Sequence, residues 1–353
     1  GLALANIGND QLKWETVTRL SLGMDMSLWQ NRLNLSFNYY KSFVDHMLTL
    51  KTLGGVSGLR NYWSNDGKME NQGFDISVTA KVLALKDFSW EISAGLGHYK
   101  NEVTALPDGD KPVYTSLYGG EVVTQVGGPV GLFYGYKTQG VFSTSEDAAF
   151  AGLRDGRADG DVFRGGDMHF ADLVADGVID EKDKTVIGDP NPDIFGNFGT
   201  SLHYKNWTLN AFFSYSLGND IYNYQRAVLE GGSTYYNQTT AVLNRWTSEG
   251  QVTEIPRAEL GDPMGNSRFS DRWIEDGSYL KLKTLSLSYR IPFNYTFLQG
   301  ITVWAAANNV FTCTKYLGSD PELSISSSAV GQGIDRGLLG RGRSFVLGVK
   351  INL

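Results

Sequence analysis

The residues best spaced to do chemistry are Asp172-Leu-Val-Ala-Asp-Gly-Val-Ile-Asp-Glu-Lys-Asp183. They approximate the calcium loop Asp-x-(Asp/Asn)-x-(Asp/Asn)-Gly-x5-Glu. Asp172, Asp176, Asp180 and Asp183 fall at loop positions one, five, nine and twelve. Gly177 stands at six, where the chain must turn sharply, and Val178 would offer its carbonyl at seven. Val174 at position three removes one oxygen ligand, and Asp183 is shorter than the usual Glu at twelve. The spacing predicts Ca²⁺ held by Asp172, Asp176, Asp180, Asp183 and the Val178 carbonyl. The other reading is a solvated acidic loop closed by Asx turns.

Catalysis finds no comparable pattern. His46, His98, His169 and His203 are scattered, with no zinc spacing. Acidic pairs are plentiful but sit mostly in loops, so choosing a glycosidase dyad would be arbitrary. There is no Gly-x-Ser-x-Gly, and the glycine-rich stretches at Gly54-Gly55, Gly231-Gly232 and Gly337–Gly342 lack a P-loop lysine. The reading is therefore a non-enzyme. A net charge of −7 without any Lys/Arg run argues against a nucleic-acid partner. Cys313 is the one cysteine, so no intrachain disulfide forms. The opening Gly1-Leu-Ala-Leu-Ala-Asn6 lacks the basic start of a signal peptide, so export would require a signal on a longer precursor.

The elements that carry these residues are written in the side-chain alternation. In 19–28, Leu20, Leu22, Met24, Met26 and Leu28 alternate with Arg19, Ser21, Gly23, Asp25 and Ser27. A β-strand sends successive side chains to opposite faces, so this strand has one oily and one wet face. The pattern returns in 32–48, 68–84, 88–103, 194–204, 207–218, 278–291, 301–312 and 342–353. No run of about 18 apolar residues exists, which excludes a membrane helix but not a barrel, whose strands need only every second side chain to be apolar. In 278–291, Leu280 and Leu282 have one parity, and Leu285, Leu287, Tyr289 and Ile291 the other. The break predicts a bulge near Thr284 or a strand projecting beyond the lipid.

Connection length predicts topology. If the last strand runs toward the periplasm, the short turns near 30, 86, 205 and 293 lie on that side, and the long connections 49–67, 219–277 and 313–341 lie outside. The segment 104–193 is read as an extracellular excursion. Within it, Val130–Phe142 is expected to pair with Glu121–Val126 as a hairpin, with a spanning pair as the alternative. The count is about nine spanning strands in an all-β, antiparallel transmembrane barrel portion with long extracellular loops. A bacterial barrel has an even count, and an open sheet would leave unpaired amides in lipid. Residues 1–353 thus read as the C-terminal part of a larger barrel. Its wet face would carry Arg19, Asp25, Lys81, Glu91, Arg290 and Lys350. The outer loops would carry the aromatics Tyr62, Trp63, Tyr114, Tyr118, Tyr222, Tyr224, Tyr235, Tyr236 and Trp246, suited to stacking on sugar rings or peptide side chains.

A series of short motifs runs along nearly the whole chain: Asn9-Asp-Gln-Leu-Lys-Trp-Glu15, Gly67-Lys-Met-Glu-Asn-Gln-Gly-Phe-Asp75, Gly128-Pro-Val-Gly-Leu-Phe-Tyr-Gly-Tyr136 and Asp176-Gly-Val-Ile-Asp180. Ile187-Gly-Asp-Pro-Asn-Pro-Asp193, Asp271-Arg-Trp-Ile-Glu-Asp-Gly-Ser-Tyr-Leu-Lys-Leu-Lys283, Asn308-Asn-Val-Phe311 and Gly318-Ser-Asp-Pro-Glu322 complete it. In this order they resemble the C-terminal barrel half of SusC/RagA-type TonB-dependent outer-membrane transporters of Bacteroidetes. The resemblance implies a barrel of about 22 strands closed by an N-terminal plug. It further implies import of glycans or peptides energised by TonB, and a SusD-like surface lipoprotein acting as a lid. The plug, the TonB-contacting segment and the remaining strands would lie outside this sequence, and outer-membrane lipid would surround the wall. The family usually ends in an aromatic residue, whereas this chain ends in Leu353.

Other classes give distinct expectations. A soluble extracellular β-rich glycan-binding protein would be monodisperse without detergent. A surface glycan hydrolase would cleave polysaccharide, and a passive porin would lack a plug in its intact gene.

Overall fold

The computed structural model describes residues 8–52, 61–157, 160–292, 300–326 and 328–352. Nine long strands make one sheet: β1 (Thr16–Leu28), β2 (Leu33–Thr52), β3 (Asn61–Ala84), β4 (Phe88–Ala105), β5 (Ile194–Tyr204), β6 (Trp207–Leu217), β7 (Tyr279–Ile291), β8 (Gly300–Thr314) and β9 (Ser344–Asn352). Each pairs antiparallel with its neighbour in chain order, from β1 to β9. Every strand predicted from alternation is present. The bounds shift where Leu33–Thr52 and Asn61–Ala84 stay paired up to Thr52↔Asn61, so residues 49–52 and 61–67 of the expected loop belong to the ladder, and 53–60 lie outside the described residues. Tyr62 and Trp63 consequently stand on β3, not on a loop. The turn read at Pro292–Tyr295 lies, beyond Pro292, outside the described residues, as do Gly54-Gly55 and Leu353.

The register shows what alternation accomplishes. Directly opposed residues of an antiparallel pair share a face. One row runs Met24, Phe37, Ile76, Leu96 on β1 to β4. Another runs Trp90, Leu202, Leu209, Leu287, Ala305, Leu347 from β4 to β9. The same face is apolar across all nine strands, and on β9 it is bare: Phe345 is 81% and Leu347 83% exposed. The opposite face carries rows such as Asp25, Ser36, Ser77, Gly95, Asn197, Ser214. Arg19, Lys81, Glu91, Arg290 and Lys350 occupy this polar face by the same register. Lys81 stands opposite Glu91, and the Arg19 guanidinium lies 4.6 Å from the centre of the Tyr40 ring.

The parity break in β7 is a bulge. Phe212 opposes Thr284 while Phe213 opposes Leu282, which leaves Lys283 without a partner position on β6. Across β8 the same step runs from Leu282↔Phe311 to Thr284↔Asn308. One inserted residue returns Leu285 and Leu287 to the face of Leu280 and Leu282.

Connection lengths sort by end. The short turns after β1, β3 and β5 lie at one end, and the connections after β4, β6 and β8 lie at the other. Segment 106–193 adds no strand to the large sheet. Leu132–Tyr136 pairs with Gly120–Thr124 through Val122↔Phe133 and Val123↔Leu132, so the hairpin reading holds and the spanning-pair alternative does not. Val113–Leu117 and Lys184–Gly188 complete this separate four-stranded sheet.

Candidate functional site

The long connections fold together into a cap with its own core. Leu132–Tyr136 is apolar on both faces because it serves two clusters. Phe133 packs with Val122, Tyr222, Trp273 and Ile334, which come from three different connections. Tyr136 packs with Phe142, Phe163, Phe170, Ile179 and Met264. Burying side chains of this size gives roughly 1.5–3 kcal/mol each relative to exposure, which makes the cap a packed body.

Buried ions lock the connections to one another. Asp155, fully buried, accepts from Arg157 (2.8 Å) and pairs with Arg268 (3.1 Å). Its burial opposes ionisation, but the two guanidiniums win and hold its carboxyl below the usual range. Arg268 also lies over Phe170, with 4.4 Å from guanidinium carbon to ring centre. Arg226 bridges Glu230 (2.9 Å) and Glu275 (2.8 Å). Burial and the neighbouring Arg226 push Arg272 down to about 10, so it stays cationic at neutral pH above the Trp273 ring, 4.3 Å away. The 315–343 connection is pinned to the polar face of the wall: Lys281 binds Asp320 (2.8 Å) and Glu322 (2.7 Å), and Lys283 binds Glu322. Lys281 and Lys283, two residues apart on β7, share the polar face and supply both lysines of this clamp.

Within the cap a cavity of about 320 Å³ is lined by Glu121, Tyr134, Tyr136, Lys184, Arg268 and Phe269. Lys184 pairs with Glu121 (3.0 Å) and Glu181 (2.5 Å) and stands 5.7 Å from the Tyr136 ring centre. Burial and a hydrogen bond with Tyr114 push the Tyr134 hydroxyl up to about 12, so it remains a neutral donor. Such a lining can hold a polar ligand with a flat face. Sequence spacing could not find it, because its parts come from positions 121, 134–136, 184 and 268–269.

The carboxylates of the acidic loop accept from the backbone amides around them. Asp172 accepts from the N–H groups of Gly177 (2.8 Å) and Asp176 (3.3 Å). Asp176 accepts from Val178 N–H (3.0 Å), and Asp180 caps a short 3₁₀ turn through Lys182 N–H (2.8 Å). Asp183 is buried and accepts from Leu173, Val174 and Asp180 N–H. Val178 belongs to a two-residue bridge with Arg154–Asp155. The Lys182 ammonium sits 3.3 Å from Asp180 and 3.5 Å from Asp176. Among the described residues no three His, Cys, Asp or Glu converge on a metal position. As placed, the carboxylates of Asp172, Asp176, Asp180 and Asp183 accept from backbone amides, the Val178 carbonyl lies in the same loop, and Lys182 supplies a countercharge to Asp176 and Asp180. Its hydrogen bonds to the Lys182 N–H and ammonium hold the Asp180 carboxyl below the usual range.

The aromatics expected outside divide in two. Tyr222 is buried in the cap core, and Trp246 donates to the Ser143 carbonyl (3.0 Å). The Tyr114 ring lies tilted against Tyr134 (5.1 Å between centres) and Tyr118 against Tyr224 (5.4 Å). Tyr235 and Tyr236 project freely at 89% and 69% exposure.

A sheet apolar on one face, polar on the other and capped at one end defines the wall of an outer-membrane β-barrel. The chain belongs to the TonB-dependent receptor-like β-barrel family, which it matches over residues 2–310. It is 34% identical to TonB-dependent receptor P3 of Formosa agariphila, over 99% of this chain and 35% of that protein. It is 26% identical to TonB-dependent receptor SusC of Bacteroides thetaiotaomicron, over 97% of this chain and 32% of that protein. The solved RagAB peptide transporter superposes with a TM-score of 0.81 at 25% identity, covering 99% of this chain and 37% of that one. The SusC/RagA resemblance seen in the motifs is borne out, and the chain spans about a third of the length of these relatives. Proteins of this family are outer-membrane receptors and transporters.

Proposed function

We propose that this chain forms part of the wall and the outer cap of a TonB-dependent importer of nutrient oligomers, glycan or peptide. In this reading the apolar face meets lipid and the polar face meets the plug. The cap, including 104–193, is extracellular and works with a SusD-like lipoprotein. The observation that carries it is the register itself: one apolar face spans nine strands, while the long connections described gather at one end. The cavity beside Tyr134, Lys184 and Arg268 would contact cargo in the cap. The named neighbour is a peptide transporter, and a named relative is SusC, so both cargo classes enter the test.

Cysteines placed at Tyr235 and Lys205 in the intact transporter test the topology with a membrane-impermeant maleimide on whole cells. Position 235 labels and position 205 does not; the reverse pattern overturns the reading. Uptake of labelled peptide and oligosaccharide pools should require TonB and fall when Arg268 is replaced by Met. Equal uptake without TonB would contradict TonB-dependent import.

A further inference from the structure

A groove of about 450 Å³ interrupts the apolar face of the wall near its capped end. The register explains it. The row Phe198, Phe213, Leu282, Phe311 forms a bulky shelf, with Phe198 and Phe213 stacked at 4.4 Å. The next row toward the cap is Gly196, Tyr215, Leu280, Cys313, with little bulk at either end. The Tyr215 hydroxyl turns away to donate to the Gly95 carbonyl (3.1 Å), leaving its ring as the floor. Leu217 stands at the rim, and there the lining changes character: Asp276 and Lys315 are both exposed at the mouth. Asp276 accepts from Ser278 N–H (2.9 Å), and hydrogen bonds from Ser278 hold its carboxyl below the usual range. The mouth therefore carries one anion and one cation side by side.

Water is excluded from the hydrocarbon region, so an apolar groove open to it is filled by a hydrocarbon chain. The paired charges at the interface match a head group that itself carries a phosphate and a primary ammonium. We propose that this groove is a lipid site, taking one acyl chain against Tyr215 and Leu280 with a phosphoethanolamine head on Lys315 and Asp276. The site rests on the reading that the apolar face meets lipid and the capped end faces outward. Phosphate accepts from Lys315, and the ammonium donates to Asp276. A phosphocholine head has no N–H to donate to Asp276, and a phosphoglycerol head has no cation to pair with it.

The test uses the full transporter in nanodiscs with a phosphatidylethanolamine bearing a photoreactive diazirine on one chain, and adducts mapped by peptide mass spectrometry. Adducts concentrate on Tyr215, Leu280 and Cys313 over Leu22 and Met24 of β1. Unlabelled phosphatidylethanolamine competes better than phosphatidylcholine or phosphatidylglycerol by about fivefold, the scale of one exposed charge pair. Leu280→Trp fills the groove and removes those adducts, with folding verified by heat-modifiable gel migration. Lys315→Glu, at the exposed rim, abolishes the head-group preference without filling the groove. Even labelling of the groove and β1, or equal competition by the three lipids, overturns the site. Loss of labelling at both places instead overturns the lipid-facing assignment of the whole face.

Discussion

The wall and the cap bury apolar residues against different things. In the cap, Trp273, Phe133, Phe163 and Phe170 are sealed by other side chains. In the wall, Leu22, Leu347 and Val349 lie open on the outer face. Of the most deeply buried apolar residues described, all but Val103 and Leu282 lie in the connections between the long strands. The difference teaches that the cap is stabilised as a soluble domain is, by packing, whereas the wall takes its apolar contacts from lipid.

Mutations can break or sharpen that contrast. Trp273→Ala should destabilise the cap by about 3–5 kcal/mol through loss of core packing. Limited proteolysis of the cap with an intact, heat-modifiable barrel is the expected pattern; unchanged resistance would show that the cap is not independently packed. Lys281→Ala leaves Asp320 and, in part, Glu322 uncompensated, at about 3 kcal/mol for a broken buried pair, read as hydrogen exchange opening across 315–341. In the wall, Leu347→Arg should cost about 2–4 kcal/mol if it lies near the bilayer midplane, measured by denaturant titration in vesicles. Leu347→Ala should cost far less than Trp273→Ala in detergent.

Smaller effects belong to the acidic loop. Asp183→Asn weakens a buried acceptor of three N–H groups and should cost about 1–3 kcal/mol locally. Calcium should leave the melting temperature of the wild type unchanged; a calcium-dependent rise lost in Asp176→Asn would instead establish the ion site. The smallest effect is with pH. The folded Asp180 carboxyl titrates below its ordinary value of 3.8. Its contribution is therefore present above about that pH and is lost as pH falls through the lower folded value, seen as faster exchange of the Lys182 amide below about pH 4.

The wall was legible because period two repeats over strands long enough to cross a bilayer, and one apolar face imposes one register. Even the fault in β7 was visible as a change of parity. Strand ends were not legible: residues 61–67 read as loop, yet backbone pairing continues there regardless of side-chain pattern. The cap was legible only in part. Its hairpin could be read locally, but the meeting of Phe133 with Trp273 and Ile334, or of Asp155 with Arg268, joins residues over a hundred positions apart. The calcium pattern illustrates a further limit. Spacing identifies carboxylates that can converge, and these same groups also satisfy the amides of a tight turn.

The lipid-facing assignment can be read directly by nitroxide scanning of β9 in the reconstituted transporter, with molecular oxygen and a water-soluble nickel complex as relaxants. Labels at Phe345, Leu347, Val349 and Ile351 should be accessible to oxygen, and labels at Ser344, Gly348 and Lys350 to nickel, alternating with a period of two. The same relaxant reaching both sets equally would contradict a wall with lipid on one side and an aqueous lumen on the other.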